Sequence, residues 1–134
     1  MISIVDDDIS VREATKDWVR SLGYVAAAFA SAEEFLQSGK VNDTECVITD
    51  VQMPGLSGIE LQSYLISQGN RTPIIFVTAF PEERTRTRAL EAGAIGFMTK
   101  PFDEGRLIEY IEAALAGRNT KTTLDSTLVR GKGC

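Results

Sequence analysis

The sequence predicts an α/β domain in which a parallel sheet is covered by helices on both faces. Two observations carry this. Short apolar runs alternate with segments whose apolar residues recur at helical spacing, and the order strand then helix repeats five times. The runs ending at Val5, Thr49 and Val77 are apolar along their length instead of alternating, as strands buried on both faces must be.

The strand-like pieces are residues 2–5, 24–29, 45–49, 73–77 and 94–98. The first helical segment carries Val11, Ala14, Trp18 and Leu22 in steps of three and four, and the last carries Leu107, Ile111, Ala114 and Leu115. Three helix starts share the pattern Ser-x-x-Glu: Ser10 with Glu13, Ser31 with Glu34, and Ser57 with Glu60. In each, the hydroxyl can accept from an orphan amide while the glutamate reaches back. Asp103 is a suitable cap for the last helix, and Gly23, Gly69 and Gly93 stand where helices should stop. Segment 81–92 differs from the others. Its Arg84-Thr85-Arg86-Thr87-Arg88 stretch is polar, with apolar content limited to Ala89, Leu90 and Ala92. It is either an ordinary solvated face or a weakly anchored helix that is easily displaced.

Composition narrows the function classes. At 134 residues, 43% hydrophobic and 25% charged, the chain suits one domain with one core. It holds no apolar run near the roughly 20 residues that span a bilayer and no secretory leader pattern, so a cytoplasmic location is expected, with no membrane partner. Net charge is −5, but residues 1–116 carry 18 acids against 10 bases. That excludes direct nucleic-acid binding by general phosphate neutralisation. Segment 117–134, with a net charge of +3, holds few large apolar residues and is expected to be a flexible linker or tail. Cys46 lies in an apolar strand and Cys134 ends the chain, a pair that a reducing cytosol would leave unbridged. With no histidine and no paired cysteines at ligand spacing, a structural zinc site is excluded.

The chemistry concentrates at strand ends. Asp6 and Asp7 follow the first apolar run, Asp50 follows the third, Thr78 ends the fourth, and Lys100-Pro101 follows the fifth. In an open parallel sheet, ligands sit beyond the carboxyl ends of the strands, at the switch in strand order. The rule groups Asp6, Asp7, Asp50, Thr78 and Lys100. Two buried like charges cost several kcal/mol unless a cation joins them. A hard divalent ion with oxygen ligands, Mg2+ first, would remove that repulsion. Asp50 could then act as a nucleophile toward phosphorus. Thr78 would supply a hydroxyl, and Lys100 a point charge for Asp50 or the phosphoryl group. Asp8, nearest the first helix, reads as its cap. Phe97 reads by default as a core aromatic.

These residues resemble one family. Val5-Asp6-Asp7, then Asp50 with Met53-Pro54-Gly55-x-x-Gly58, then Thr78-Ala79, then Lys100-Pro101-Phe102, are similar to the receiver domain of two-component response regulators (CheY-like). The likeness covers residues 1–116. Residues 28–36 and Thr78-Ala79-Phe80 resemble the FixJ-like subgroup. The resemblance implies a flavodoxin-like doubly wound sheet of five parallel strands in the order 2-1-3-4-5. It implies that Asp50 is phosphorylated by a sensor histidine kinase, and that Asp7, Asp50 and the Gln52 backbone carbonyl bind Mg2+, with Asp6 acting through a water. Thr78 and Lys100 would bind the phosphoryl oxygens. Phe97 would turn inward as Thr78 moves, changing the surface of the fourth helix, fifth strand and fifth helix. Family members use that surface to dimerise or to meet an output partner. Gln52 and Phe80 occupy positions that tune acyl-phosphate lifetime. No enzyme turnover is implied beyond self-phosphorylation and slow autodephosphorylation. A phosphatase using an aspartyl phosphate would typically need a second acid at position 52, where Gln52 stands. FixJ-like regulators continue into a DNA-binding domain that controls transcription, and only 18 residues follow Ala116 here. The chain is expected to be either a stand-alone receiver or part of a longer regulator.

Overall fold

The structure, a computed structural model, describes the backbone of residues 1–127 and the side chains of residues 1–116. Five strands, β1 (Ile2–Val5), β2 (Ala26–Phe29), β3 (Cys46–Thr49), β4 (Ile74–Thr78) and β5 (Gly96–Thr99), form one sheet in the order β2-β1-β3-β4-β5. Every pairing is parallel. The helices are α1 (Ile9–Ser21), α2 (Ala32–Gln37), α3 (Gly58–Ser67), α4 (Glu83–Glu91) and α5 (Glu104–Thr127), with a short 3-10 turn at Val41–Asp43.

The fold class and strand order agree with expectation. Four strands begin later than the apolar runs suggest. The residues just before them still serve the ladder, through carbonyls that accept at its entry: Val25 from Ile2 N (2.8 Å) and Pro73 from Val47 N (2.9 Å).

Neighbouring strand residues point to opposite faces, so each strand feeds two cores. On one face Val5, Val47, Ile74 and Phe76 meet Phe35 of α2, Leu61 and Leu65 of α3, and Ala89 of α4. On the other, Ile4, Ile48, Ile75 and Val77 meet Val19 of α1 and Leu107, Ile111 and Ala114 of α5. Burying each of the Val, Leu, Ile and Phe side chains among these contributes about 1.5–3 kcal/mol. Cys46 belongs to this second core, and burial pushes its thiol up to about 12.

Helix α1 agrees with the reading of Asp8 as its cap and corrects two others, the Ser10 cap and the buried face. Its cap is Asp8, whose Oδ1 accepts from Ser10 N (2.9 Å) and Val11 N (3.2 Å), so Ser10 lies inside the helix. A carboxylate can accept from two orphan amides at once, and Asp8 lies two residues nearer the strand than Ser10. The inward face also turns: Thr15 and Val19 are buried, while Ala14 and Leu22 are exposed. The other starts follow their spacing. Ser57 and Glu60 form the full reciprocal box. Ser31 caps Glu34 N, while Glu34 reaches back one residue further, to Ala30 N at 3.1 Å. Asp103 Oδ1 accepts from Arg106 N at 3.2 Å.

Helix α5 runs past Ala116 to Thr127, into the segment read from sequence as a linker or tail; residues 128–134, including Cys134, lie outside the described residues. Among the described residues no helix is long and apolar enough to cross a membrane.

Candidate functional site

The register builds the site. Val5 pairs with Thr49, so Asp6 and Asp50 are the first residues beyond two adjacent strands. Their backbones stay anchored: Asp50 N donates to Val5 O at 3.0 Å, and Asp6 N to Phe29 O at 3.1 Å. Both are nearly buried, at 4% and 9% exposure. Asp7 is exposed. Of the two acids that directly follow the first strand, only Asp6 is buried, which corrects their reading as equivalent; the buried like-charge pair is Asp6 and Asp50. Asp6 Oδ1 accepts from Asp8 N at 2.9 Å, and this tight turn throws Asp7 to the tip. One carboxylate oxygen each from Asp6, Asp7 and Asp50 nevertheless lie within 4.8 Å of one another.

Lys100 reaches this cluster from the end of β5. Its Nζ donates to Asp6 Oδ2 at 2.8 Å and to Asp50 Oδ2 at 3.0 Å. The Lys100-Pro101 bond is cis. Burial opposes the charge on Lys100, but the hydrogen bonds to Asp6 and Asp50 outweigh it and hold the lysine above its usual range. Asp6 is pushed up by burial, with the Asp50 charge adding to it, against the lowering contact of Lys100. One ammonium thus leaves the acids incompletely compensated. That is the electrostatic condition a hard cation relieves, and three carboxylates are the oxygen donors it prefers.

The remaining residues surround this centre. Asp50 Oδ1 accepts from Gln52 N at 3.2 Å, which folds the next loop back over the acid. Thr78 is buried at the end of β4, its Oγ1 accepts from Phe80 N at 3.3 Å, and its carbonyl accepts from Lys100 N at 2.8 Å. Phe80 is 72% exposed. Phe97 is half-buried, its ring centroid 6.1 Å from that of Phe76.

Sequence reasoning missed three supports. Arg12 of α1 donates from Nη1 to the Asp6 carbonyl at 2.9 Å. Its position one turn into the helix was the available signal. Lys100 bridges Asp6 as well as Asp50, a geometry no spacing reveals. Gly58 lets α3 touch the acid loop: a Cβ there would stand 2.2 Å from the Asp50 carbonyl oxygen. In the sequence Gly58 stands out only as part of the Met53-Pro54-Gly55-x-x-Gly58 pattern.

Fold and site together define a parallel α/β domain with an acidic cluster at the carboxyl ends of the inner strands β1 and β3, joined by one lysine that reaches in from the end of the edge strand β5. A family model described as the response regulator receiver domain matches residues 2–112. The chain belongs to that family, whose members are signalling domains of two-component systems. It is 39% identical over 114 residues to Nodulation protein W of Bradyrhizobium diazoefficiens, covering 85% of this chain and 50% of that protein. It is 35% identical over 120 residues to Transcriptional regulatory protein FixJ of Azorhizobium caulinodans, covering 90% and 56%. The crystal structure of FixJ-N superposes with a TM-score of 0.76 at 32% identity, covering 86% of this chain and 92% of that one. The chain spans about half the length of the curated relatives it matches.

Proposed function

We propose that this domain is a phosphorylation-dependent switch in which Asp50 accepts a phosphoryl group from a sensor histidine kinase. The observation that carries the reading is the convergence of Asp6, Asp7, Asp50 and Lys100 at the carboxyl ends of β1, β3 and β5. In the transfer, a carboxylate oxygen of Asp50 attacks phosphorus. The bond from phosphorus to the donor imidazole breaks, and the imidazole leaves with its electron pair. Lys100, already on Asp50 Oδ2, is in reach of the charge that builds on the transferred oxygens. The Thr78 hydroxyl would donate to one of them, leaving Phe80 N. Asp7, Asp50 and the Gln52 carbonyl would hold Mg2+ directly, with Asp6 acting through a water; when bound, the ion neutralises charge on the attacking and transferred oxygens.

The added group brings about −1.5 to −2 charges. Movement of Thr78 would free space for Phe97 to turn inward, changing the face formed by α4, β5 and α5. That face would serve a homodimer or an output partner, with Gln52 and Phe80 setting the lifetime of the acyl phosphate. Residues 1–116 form the receiver unit, and 117–134 connect it to an output, by likeness to the transcriptional relatives a DNA-binding one. The domain itself binds neither nucleic acid nor membrane and acts in the cytoplasm.

The donor histidine must come within covalent reach of Asp50, so its protein must cover the rim of the site. A groove of about 460 Å3 begins at Lys100 and is lined by Val11, Ala14, Trp18 and Phe102. It suits an apolar helix face of the kinase. Ala14→Arg is expected to slow transfer from the kinase about tenfold, as rim charges slow association, with unchanged labelling by acetyl phosphate. The reading as a whole is tested by labelling with acetyl phosphate and Mg2+. Wild type should take up an acid-stable, alkali-labile phosphoryl group, and Asp50→Asn should take up none. Equal labelling of Asp50→Asn would overturn the assignment.

A further inference from the structure

The loop between β3 and α3 carries the Gln52 carbonyl, and its ends are well fixed. Gln52 N is held by Asp50 Oδ1, and Ser57 N by the capping box. Between them, Pro54 has no N–H to donate, and Gly55 takes a positive φ of 76°. The tie to another element comes from α2. Glu33 Oε2 accepts from Leu56 N at 3.0 Å, across 23 residues of sequence. The same carboxylate lies flat against Gly55, where a Cβ would stand 2.4 Å from Oε2 and 3.1 Å from Cδ. Glycine at 55 therefore answers two demands, the left-handed backbone and the space for Glu33.

Glu33 is itself firmly placed. It lies in the first turn of α2, which Ser31 caps. Two residues on, Phe35 is fully buried, its ring centroid 5.3 Å from that of Phe29. An acid on a short, core-anchored helix thus reaches across to a loop amide. Among the described residues, no lysine or arginine forms an ion pair with it.

We propose that Glu33 is a positioning residue for the acid site: its carboxylate ties the β3–α3 loop to α2 and so sets where the Gln52 carbonyl stands for the cation. This rests on the reading of Asp7, Asp50 and the Gln52 carbonyl as the cation's ligands. Groups that orient metal ligands from behind typically change affinity 10–100-fold when removed. Glu33 acts four residues from the carbonyl, so a smaller effect of about 3- to 10-fold is expected.

The test compares wild type, Glu33→Ala and Glu33→Gln by two readouts. Amide hydrogen exchange at Leu56 reports the tie without any metal, and calorimetric titration with Mg2+ reports the cation. Unfolding curves confirm that the variants are folded. Glu33→Ala should speed Leu56 exchange about tenfold, as loss of one hydrogen bond implies, and weaken Mg2+ binding about 3- to 10-fold. Glu33→Gln, which keeps an acceptor oxygen, should restore most of both. Unchanged Leu56 exchange in Glu33→Ala overturns the tie. Faster exchange with unchanged Mg2+ affinity overturns the positioning role and leaves Glu33 a structural contact. Should wild type itself take no Mg2+, the cation reading of the site fails, and the role of Glu33 toward it fails too. Leu56 exchange then still decides the tie alone.

Discussion

Helices α3 and α4 pack on the same face of the sheet and are nearly equal in length, yet they are held very differently. Five of the ten residues of α3 are buried: Gly58, Ile59, Leu61, Gln62 and Leu65. Of the nine residues of α4, Ala89 alone is. Gln62 Nε2 of α3 donates to Ala89 O at 3.1 Å, so even the polar link between them fixes the carboxyl end of α4. The amino half, with Arg84 and Arg86, is solvated, and Arg88 of the last turn is exposed as well. The contrast assigns the two helices different mechanical roles. Helix α3 is the fixed wall against which the Asp50 loop is set. Helix α4, which follows Thr78, has little packing to lose and, on the proposed function, is the element that a change at the site would shift.

Substitutions in the two regions should separate them. The largest effect belongs to Gly58→Val. The missing Cβ faces the Asp50 carbonyl at 2.2 Å and the Phe76 ring at 3.1 Å, so backbone must move. A loss of about 3 kcal/mol or more is expected in denaturant unfolding. Next is Lys100→Ala, which leaves Asp6 and Asp50 buried without their ammonium. Breaking a fully buried pair costs about 3–5 kcal/mol, and partial access to water reduces this to about 2. Mg2+ should stabilise this variant more than wild type, read as a larger rise in Tm on adding the ion. Asp6→Asn should act in the opposite sense. Burial and the Asp50 charge work against ionised Asp6, so the neutral amide should raise Tm by a few degrees while reducing the response to Mg2+. Smallest is Arg86→Ala on α4. Its contact with Glu83 spans 3.7 Å at the surface, and stability should change by no more than about 0.5 kcal/mol. A loss as large as that of Gly58→Val would erase the distinction between the helices.

Much of the fold was legible because a parallel α/β chain writes its pattern locally. Apolar runs of Ile, Val and Phe mark doubly covered strands, and Ser57 with Glu60 or Gly69 marks helix ends without reference to anything distant. The grouping of Asp6, Asp50 and Lys100 was legible for a topological reason: parallel strands bring their carboxyl ends together whatever the loops do. Side-chain direction was not. Asp6 and Asp7 look equivalent in sequence, yet the Asp8 N–H folds back on Asp6 and sends Asp7 outward. The face of α1 was misjudged for a related reason. Thr15 and Val19 turn inward in place of Ala14 and Leu22 because the way α1 lies on the sheet, which helical spacing alone does not fix, selects the face. Contacts such as Arg12 to the Asp6 carbonyl and Glu33 to Leu56 N depend on how close two elements come, which periodicity does not encode.

The measurement that tests the account most directly is an amide spectrum recorded before and after adding Mg2+ and beryllofluoride, a mimic of the phosphoryl group on Asp50. Changes are expected at Thr78, at Phe97 and through the amino half of α4, with Leu61 to Leu65 of α3 unmoved beyond the loop that carries the site. Changes concentrated in the buried residues of α3, with α4 silent, would contradict it.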